Sequence, residues 1–137
     1  MARVAIIGGG PGGYEAALVA AQLGADVTLV ERDGPGGACV LADCVPSKTL
    51  IATAETVHGL EQAGMLGLRL SGGGVGVDIA RVNERVRELA KAQSADIGKR
   101  LEGEGVTIVP EAGRLLGAGR VEAGGEELHA DVVLVSV

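Results

Sequence analysis

The first apolar stretch of the chain, Val4-Ala5-Ile6-Ile7, is continuous, the pattern of a strand buried on both faces of a parallel sheet. It runs directly into Gly8-Gly9-Gly10-Pro11-Gly12-Gly13. A helical stretch, Tyr14 to Leu23, follows and is closed by Gly24. Asp26 to Val30 reads as a second strand. A further helix is expected from Pro46 to about Val57, then a short strand over Leu66 to Leu70 and a flexible turn at Gly72-Gly73-Gly74. Asp78 is placed to cap a long helix reaching about Glu102. Its candidate buried positions are Ile79, Val82, Val86, Leu89, Ala90, Ala92, Ile97 and Leu101, and its charged residues form a solvated face. From Gly105 the period changes to that of strands. Val106 to Val109 reads as another parallel strand, and Arg114 to Leu116, Arg120 to Glu122 and Glu127 to His129 as a small antiparallel meander turning at glycines. Asp131 to Val137 reads as a last buried strand. Alternating strands and helices predict an α/β fold of Rossmann type, with a parallel sheet, crossover helices and the meander attached.

The glycine run adds chemistry to this frame. Gly8, Gly10 and Gly13 fit G-x-G-x-x-G, with a strand before and a helix after. Gly8 and Gly10 allow a tight turn and close approach of a pyrophosphate to the helix N-terminus, while Gly13 and Ala17 let the helix pack closely on the sheet. Glu31 ends the second strand 18 residues after Gly13, where an acid binds a ribose hydroxyl. An acid there selects an adenosine with a free 2′-hydroxyl, as in NAD or FAD. A βαβ turn that binds no phosphate is the plainer alternative.

The only two cysteines, Cys39 and Cys44, lie in GGACVLADCVPSK, Gly36 to Lys48. Two are too few for a structural zinc site. A redox-active dithiol is one reading, and two free thiols in an ordinary helix the other. Residues five apart on a regular helix point about 140° away from each other, whereas a disulfide needs Cα atoms within about 7 Å. The pair could therefore close only across a distorted turn. Pro46 belongs in a first helical turn and so places Cys44 at or near a helix N-terminus, where the dipole and free N–H groups favour a thiolate. Lys48, one turn on, supports negative charge on the same face, and Asp43 opposes it.

Together, the glycine loop, Glu31 and GGACVLADCVPSK resemble the FAD-dependent pyridine nucleotide–disulfide oxidoreductases, the lipoamide dehydrogenase and glutathione reductase group. That group usually reads Gly-Gly-Thr-Cys-Leu-Asn-Val-Gly-Cys-Ile-Pro-Ser-Lys. This chain departs at Ala38, Leu41 and Asp43. The resemblance implies FAD, with its ADP half on Gly8, Gly10, Pro11, Gly12, Gly13, Glu31 and Arg32, and contacts from Gly37, Ala38 and Cys39. Ala112 and Gly113 would lie near the adenine. Cys44 would face the flavin, Cys39 would exchange with substrate, and Lys48 would sit by the reactive edge of the ring. Electrons would pass from NAD(P)H through FAD to the Cys39–Cys44 disulfide and on to a small disulfide substrate. Relatives of actinobacterial type that act as NAD(P)H–quinone reductases imply an alternative in which the flavin serves a quinone directly. A non-catalytic nucleotide-binding module is an alternative of another class.

The remaining bounds come from composition. The 137 residues have room for one domain, 47% of them are apolar, and Tyr14 is the only aromatic, so the core must be built from Val, Leu, Ile and Ala. A net charge of −6 argues against nucleic acid or an acidic membrane as partner. The N-terminal apolar run is shorter than a signal-peptide core, no stretch could span a membrane, and a cytoplasmic location is expected. His58 and His129 read as structural. The family resemblance implies that residues 1–137 are the N-terminal part of an FAD-binding domain. The NAD(P)H-binding and dimerisation domains of a full-length homodimer would lie outside them.

Overall fold

The computed structural model describes residues 1–69, 72 and 75–137. In chain order it contains β1 (Arg3–Ile7), α1 (Pro11–Gln22), β2 (Asp26–Val30), α2 (Gly37–Leu41), α3 (Cys44–Glu61), a 3₁₀ turn (Ala63–Leu66), α4 (Ile79–Gly103), β3 (Thr107–Val109), β4 (Gly113–Gly117), β5 (Arg120–Ala123), β6 (Glu126–His129) and β7 (Val132–Val135). β3, β2, β1 and β7 form a four-stranded parallel sheet in that order, and β4, β5 and β6 form a three-stranded antiparallel sheet. The α/β class, the parallel sheet and the meander agree with the sequence.

The sheet is covered on both faces, which explains the unbroken apolar run of β1. Ile6 points to one side and packs with Val27, Leu29, Ala17 and Leu18 of α1, Leu101 of α4 and Val106. Ala5 and Ile7 point to the other, where Val121 of the meander closes a second core with Leu128 and Val133 at its margin. Burying one such aliphatic side chain contributes about 1.5–3 kcal/mol. With Phe and Trp absent, aliphatic side chains build both cores, and Tyr14 packs against the margin of the first.

Several expectations are corrected. Over Leu66–Leu70, Leu66 ends the 3₁₀ turn and Gly67 adopts a left-handed conformation, so residues 66–69 form no strand; Leu70 lies outside the described residues, as do Gly73 and Gly74 of the expected turn. On α4 the buried positions are Val86, Ala90, Ser94 and Leu101, a stripe advancing mainly in steps of four; Ile79, Leu89 and Ala92 fall off it and are exposed. β7 is not buried. Its Val132 and Leu134 share a face with Val4 and Ile6, but α1 and α4 lie over the β1–β2–β3 side, leaving Val132 54% exposed. Helix boundaries also move. Pro11 occupies the first turn of α1, as its fixed φ favours, and α3 starts at Cys44 and continues to Glu61.

Candidate functional site

The carboxyl ends of β1, β2, β3 and β7 converge on one cleft of about 570 Å³. β1 contributes the glycine loop. Gly8 turns at φ +99°, its N–H donates to Val30 O at 2.9 Å, and a Cβ on it would lie 2.1 Å from Ser136 O. A Cβ on Gly13 would lie 1.8 Å from Gly8 O, so the strand–helix turn closes only with glycine at both positions. Gly10, by contrast, has nothing within 4 Å of that direction. It is the N-cap of α1 and no side chain caps the helix, so the amides of the first turn face the cleft beside open space.

Glu31 lines this cleft and is buried. Its Oε2 accepts a 2.6 Å hydrogen bond from Gly9 N–H, and its Oε1 accepts from Asp33 N–H at 2.7 Å. The acid therefore also ties the glycine loop to the end of β2. Arg32 lies on the rim, exposed, with its guanidinium on Asp33 at 3.1–3.2 Å. That pairing holds the Asp33 carboxyl below its usual range.

The cysteine segment reaches the same cleft through glycines. Gly36 N–H donates to Gly9 O at 2.8 Å, and a Cβ on Gly37 would stand 3.1 Å from Gly10 Cα. Gly37, Ala38 and Cys39 thus line the cleft, as do Ala112 and Gly113. Between the cysteines the helix breaks, as pairing requires. α2 ends at Leu41, Ala42 and Asp43 both donate to Ala38 O at 2.9 Å, and α3 begins at Cys44. The two thiols are free and half-buried. The Cys44 thiol raises the Cys39 thiol above its ordinary pKa, with burial and the negative charge of Cys44 and Asp43 adding to it; Lys48 pulls the other way.

Of the residues singled out in the sequence, Gly8, Gly10, Pro11, Gly12, Glu31, Arg32, Gly37, Ala38, Cys39, Ala112 and Gly113 surround the cleft. Gly13 is buried behind it, and Cys44 and Lys48 are outside its lining. Sequence reasoning missed Asp33, Glu111 and Ser136, which also line it. The rule that open α/β sheets bind ligands beyond their strand carboxyl ends could have found Ser136, one residue past β7. His58 lies in the last turn of α3, 2.7 Å from Gln62, and His129 is exposed on β6 near Glu127; neither approaches the cleft.

The family model described as pyridine nucleotide-disulphide oxidoreductase matches residues 2–137, and the chain belongs to that family. Membership implies use of a flavin and NAD(P)H. The chain is 40% identical over 148 residues to an NAD(P)H dehydrogenase (quinone) of Mycobacterium tuberculosis, covering 98% of this chain and 30% of that protein. It is 34% identical over 134 residues to a dihydrolipoyl dehydrogenase of Acholeplasma laidlawii, covering 98% and 40%. The crystal structure of LpdA from M. tuberculosis superposes with a TM-score of 0.87 at 41% identity, over 98% of this chain and 31% of that one. The HOCl-induced flavoprotein disulfide reductase RclA of Escherichia coli shares the fold at 20% identity and a TM-score of 0.79, over 98% and 27%. The chain thus spans well under half the length of each of these proteins.

Proposed function

We propose that this chain is the flavin-binding and dithiol part of an FAD-dependent NAD(P)H oxidoreductase. The observation that carries the reading is the convergence of two independent motifs on one cleft, the uncapped glycine loop and the broken cysteine helix. The residues fit an adenine dinucleotide flavin: the open space at Gly10 admits a pyrophosphate, and the Gly12 and Gly13 amides are placed to donate to it. Glu31 retains lone pairs for a ribose hydroxyl after its two backbone bonds. Ala112 and Gly113 form the adenine side, and Lys48 places a cation one turn beyond Cys44. FAD, when bound, supplies two-electron chemistry between NAD(P)H and the thiol pair.

The thiols perform the exchange. Cys39 thiolate attacks a substrate disulfide, forming a mixed disulfide and expelling one substrate thiolate, which takes up a proton. Cys44 thiolate then attacks the Cys39 sulfur, releasing the second substrate thiolate and leaving Cys39–Cys44 oxidised. One substrate disulfide is reduced to two thiols for each dithiol oxidised. On this reading residues 1–137 are part of an FAD-binding domain, and the whole protein is a cytoplasmic homodimer acting on a small molecule. Among the described residues no helix is long and apolar enough to cross a membrane.

A second reading, reduction of a quinone without the thiols, is favoured by the 40% identity to the M. tuberculosis quinone dehydrogenase and by Asp43 where the family usually has glycine. One experiment separates the readings. The whole protein is loaded with FAD, passed through gel filtration and titrated anaerobically with NADH or NADPH. Co-eluting flavin with a long-wavelength thiolate–flavin band that Cys44→Ser abolishes supports the dithiol route. Retained flavin without that band, reoxidised rapidly by a quinone, supports the second reading. A folded whole protein that retains no flavin overturns both.

A further inference from the structure

The break between α2 and α3 leaves one side chain without a structural task. Asp43 occupies the N-cap position of α3, where an acid ordinarily accepts a hydrogen bond from the first turn. Here its backbone does the joining: the N–H donates to Ala38 O, and the carbonyl accepts from Ser47 N–H, both at 2.9 Å. The carboxylate makes no capping bond and is exposed. Because Asp43 N–H reaches back to Ala38, the residue is folded against α2 next to Cys39, besides being adjacent to Cys44 in sequence. Lys48 lies one turn further along α3, on the face of Cys44.

We propose that Asp43 is an electrostatic brake on the substrate-exchanging thiol: its free carboxylate, held at the helix break beside Cys39, slows disulfide exchange, in opposition to Lys48. The ionisable groups acting on Cys39 are Cys44, Asp43 and Lys48, all from α3 and its cap. The other elements packed on this segment also carry charge: Glu31 Oε2 stands 3.7 Å from where a Cβ on Gly37 would be, and Lys91 and Lys99 of α4 line a surface hollow with Leu41, whereas the contacts at Gly34 and Gly36 are with Ser94 and Ile97. Asp43 and Lys48 push Cys39 in opposite directions, on top of the larger effects of the Cys44 thiol and of burial, so exchanging either charge tunes its reactivity. Asp43 acts through Cys39 and has no part in an electron path that bypasses the thiols. It is thereby a determinant of substrate class, disfavouring disulfides relative to an acceptor that needs no thiolate. The proposal rests on the dithiol reading above.

The test is the pH dependence of Cys39 alkylation by iodoacetamide in the reduced chain, with Cys44→Ser as background so that one thiol reports. Asp43→Asn should shift the pH–rate profile to lower pH and speed alkylation about threefold at neutral pH, a modest effect as befits exposed charges. Asp43→Glu should retain the parent profile, Lys48→Gln should shift it to higher pH, and high salt should collapse all the profiles together. An Asp43→Asn profile equal to the parent overturns the proposal. So does a shift shared by Asp43→Asn and Asp43→Glu, which would mark a change of shape in place of charge. The measurement needs no flavin, so failure of the flavin reading and failure of this proposal are separately visible.

Discussion

Glu31 shows how one residue serves both architecture and chemistry. Its two oxygens each accept a backbone N–H, and the side chain is buried, so removing one acceptor strands a donor. Glu31→Gln keeps the shape but turns an NH₂ toward one of those amides. We expect a loss of about 1–3 kcal/mol in urea unfolding, together with weaker FAD retention because the glycine loop is no longer tied to β2. Ser136 makes the complementary case. Its N–H donates to Ile7 O at 2.8 Å, and its Oγ lies 2.9 Å from where a Cβ on Gly12 would be, so the hydroxyl faces the loop. Ser136→Ala should leave the unfolding midpoint nearly unchanged and weaken FAD binding several-fold, about 1 kcal/mol, measured by quenching of flavin fluorescence. The two residues differ in legibility for a physical reason. The requirement for Glu31 is local, an acid at the end of the strand after the glycine loop, and spacing reveals it. Ser136 meets Gly12 only because β7 pairs with β1 across the whole chain, and nothing near position 136 announces that partner.

Among the elements, the sequence was most informative where sterics leave one solution and least where a neighbour decides. The Cys39–Cys44 spacing demands a broken turn if the thiols are to meet, and the chain breaks there. α4 obeys its period less closely. Its buried stripe runs through Val86, Ala90, Ser94 and Leu101, while Leu89 is 42% exposed, because the stripe is set by what lies opposite: the 34–36 loop at Ser94, and α1 with the sheet at Leu101. A serine was not an evident core candidate, yet the close approach of Gly34 leaves little room for anything larger. This gives a direct comparison. Leu101→Ala empties a fully buried site and should cost about 2–4 kcal/mol, whereas Leu89→Ala should cost less than about 1 kcal/mol. Equal losses by chemical denaturation would mean that the α4 stripe is misplaced.

At the scale of the molecule, the chemistry gathers at one end of the parallel sheet, and the opposite end carries a clasp. The glycine loop, Glu31, Glu111 and Ser136 all lie past the carboxyl ends of their strands. At the other end Arg3, which opens β1, meets Asp131 just before β7, 128 residues away. The guanidinium bonds Oδ1 at 2.9 Å, and the Arg3 N–H bonds Oδ2 at 2.8 Å. First the guanidinium hydrogen bond and then the backbone one hold the Asp131 carboxyl down at about 2. The folded chain thus gives up this proton at lower pH than the unfolded chain, whose carboxyl titrates near its ordinary value of about 4. The pair therefore stabilises the fold at pH above that ordinary value, and its contribution fades as pH falls through the interval down to about 2. Arg3→Ala should lower the urea midpoint slightly at neutral pH, by a small amount since both side chains are exposed. The gap from the parent should close as the solution is acidified through that interval. Asp131→Asn should remove the same pH-dependent component. Because the clasp and the cleft sit at opposite ends of the sheet, both variants should bind FAD as the parent does; a parallel loss of flavin affinity would show that pairing of β7 with β1 at the amino end is needed to hold Ser136 against the glycine loop at the other.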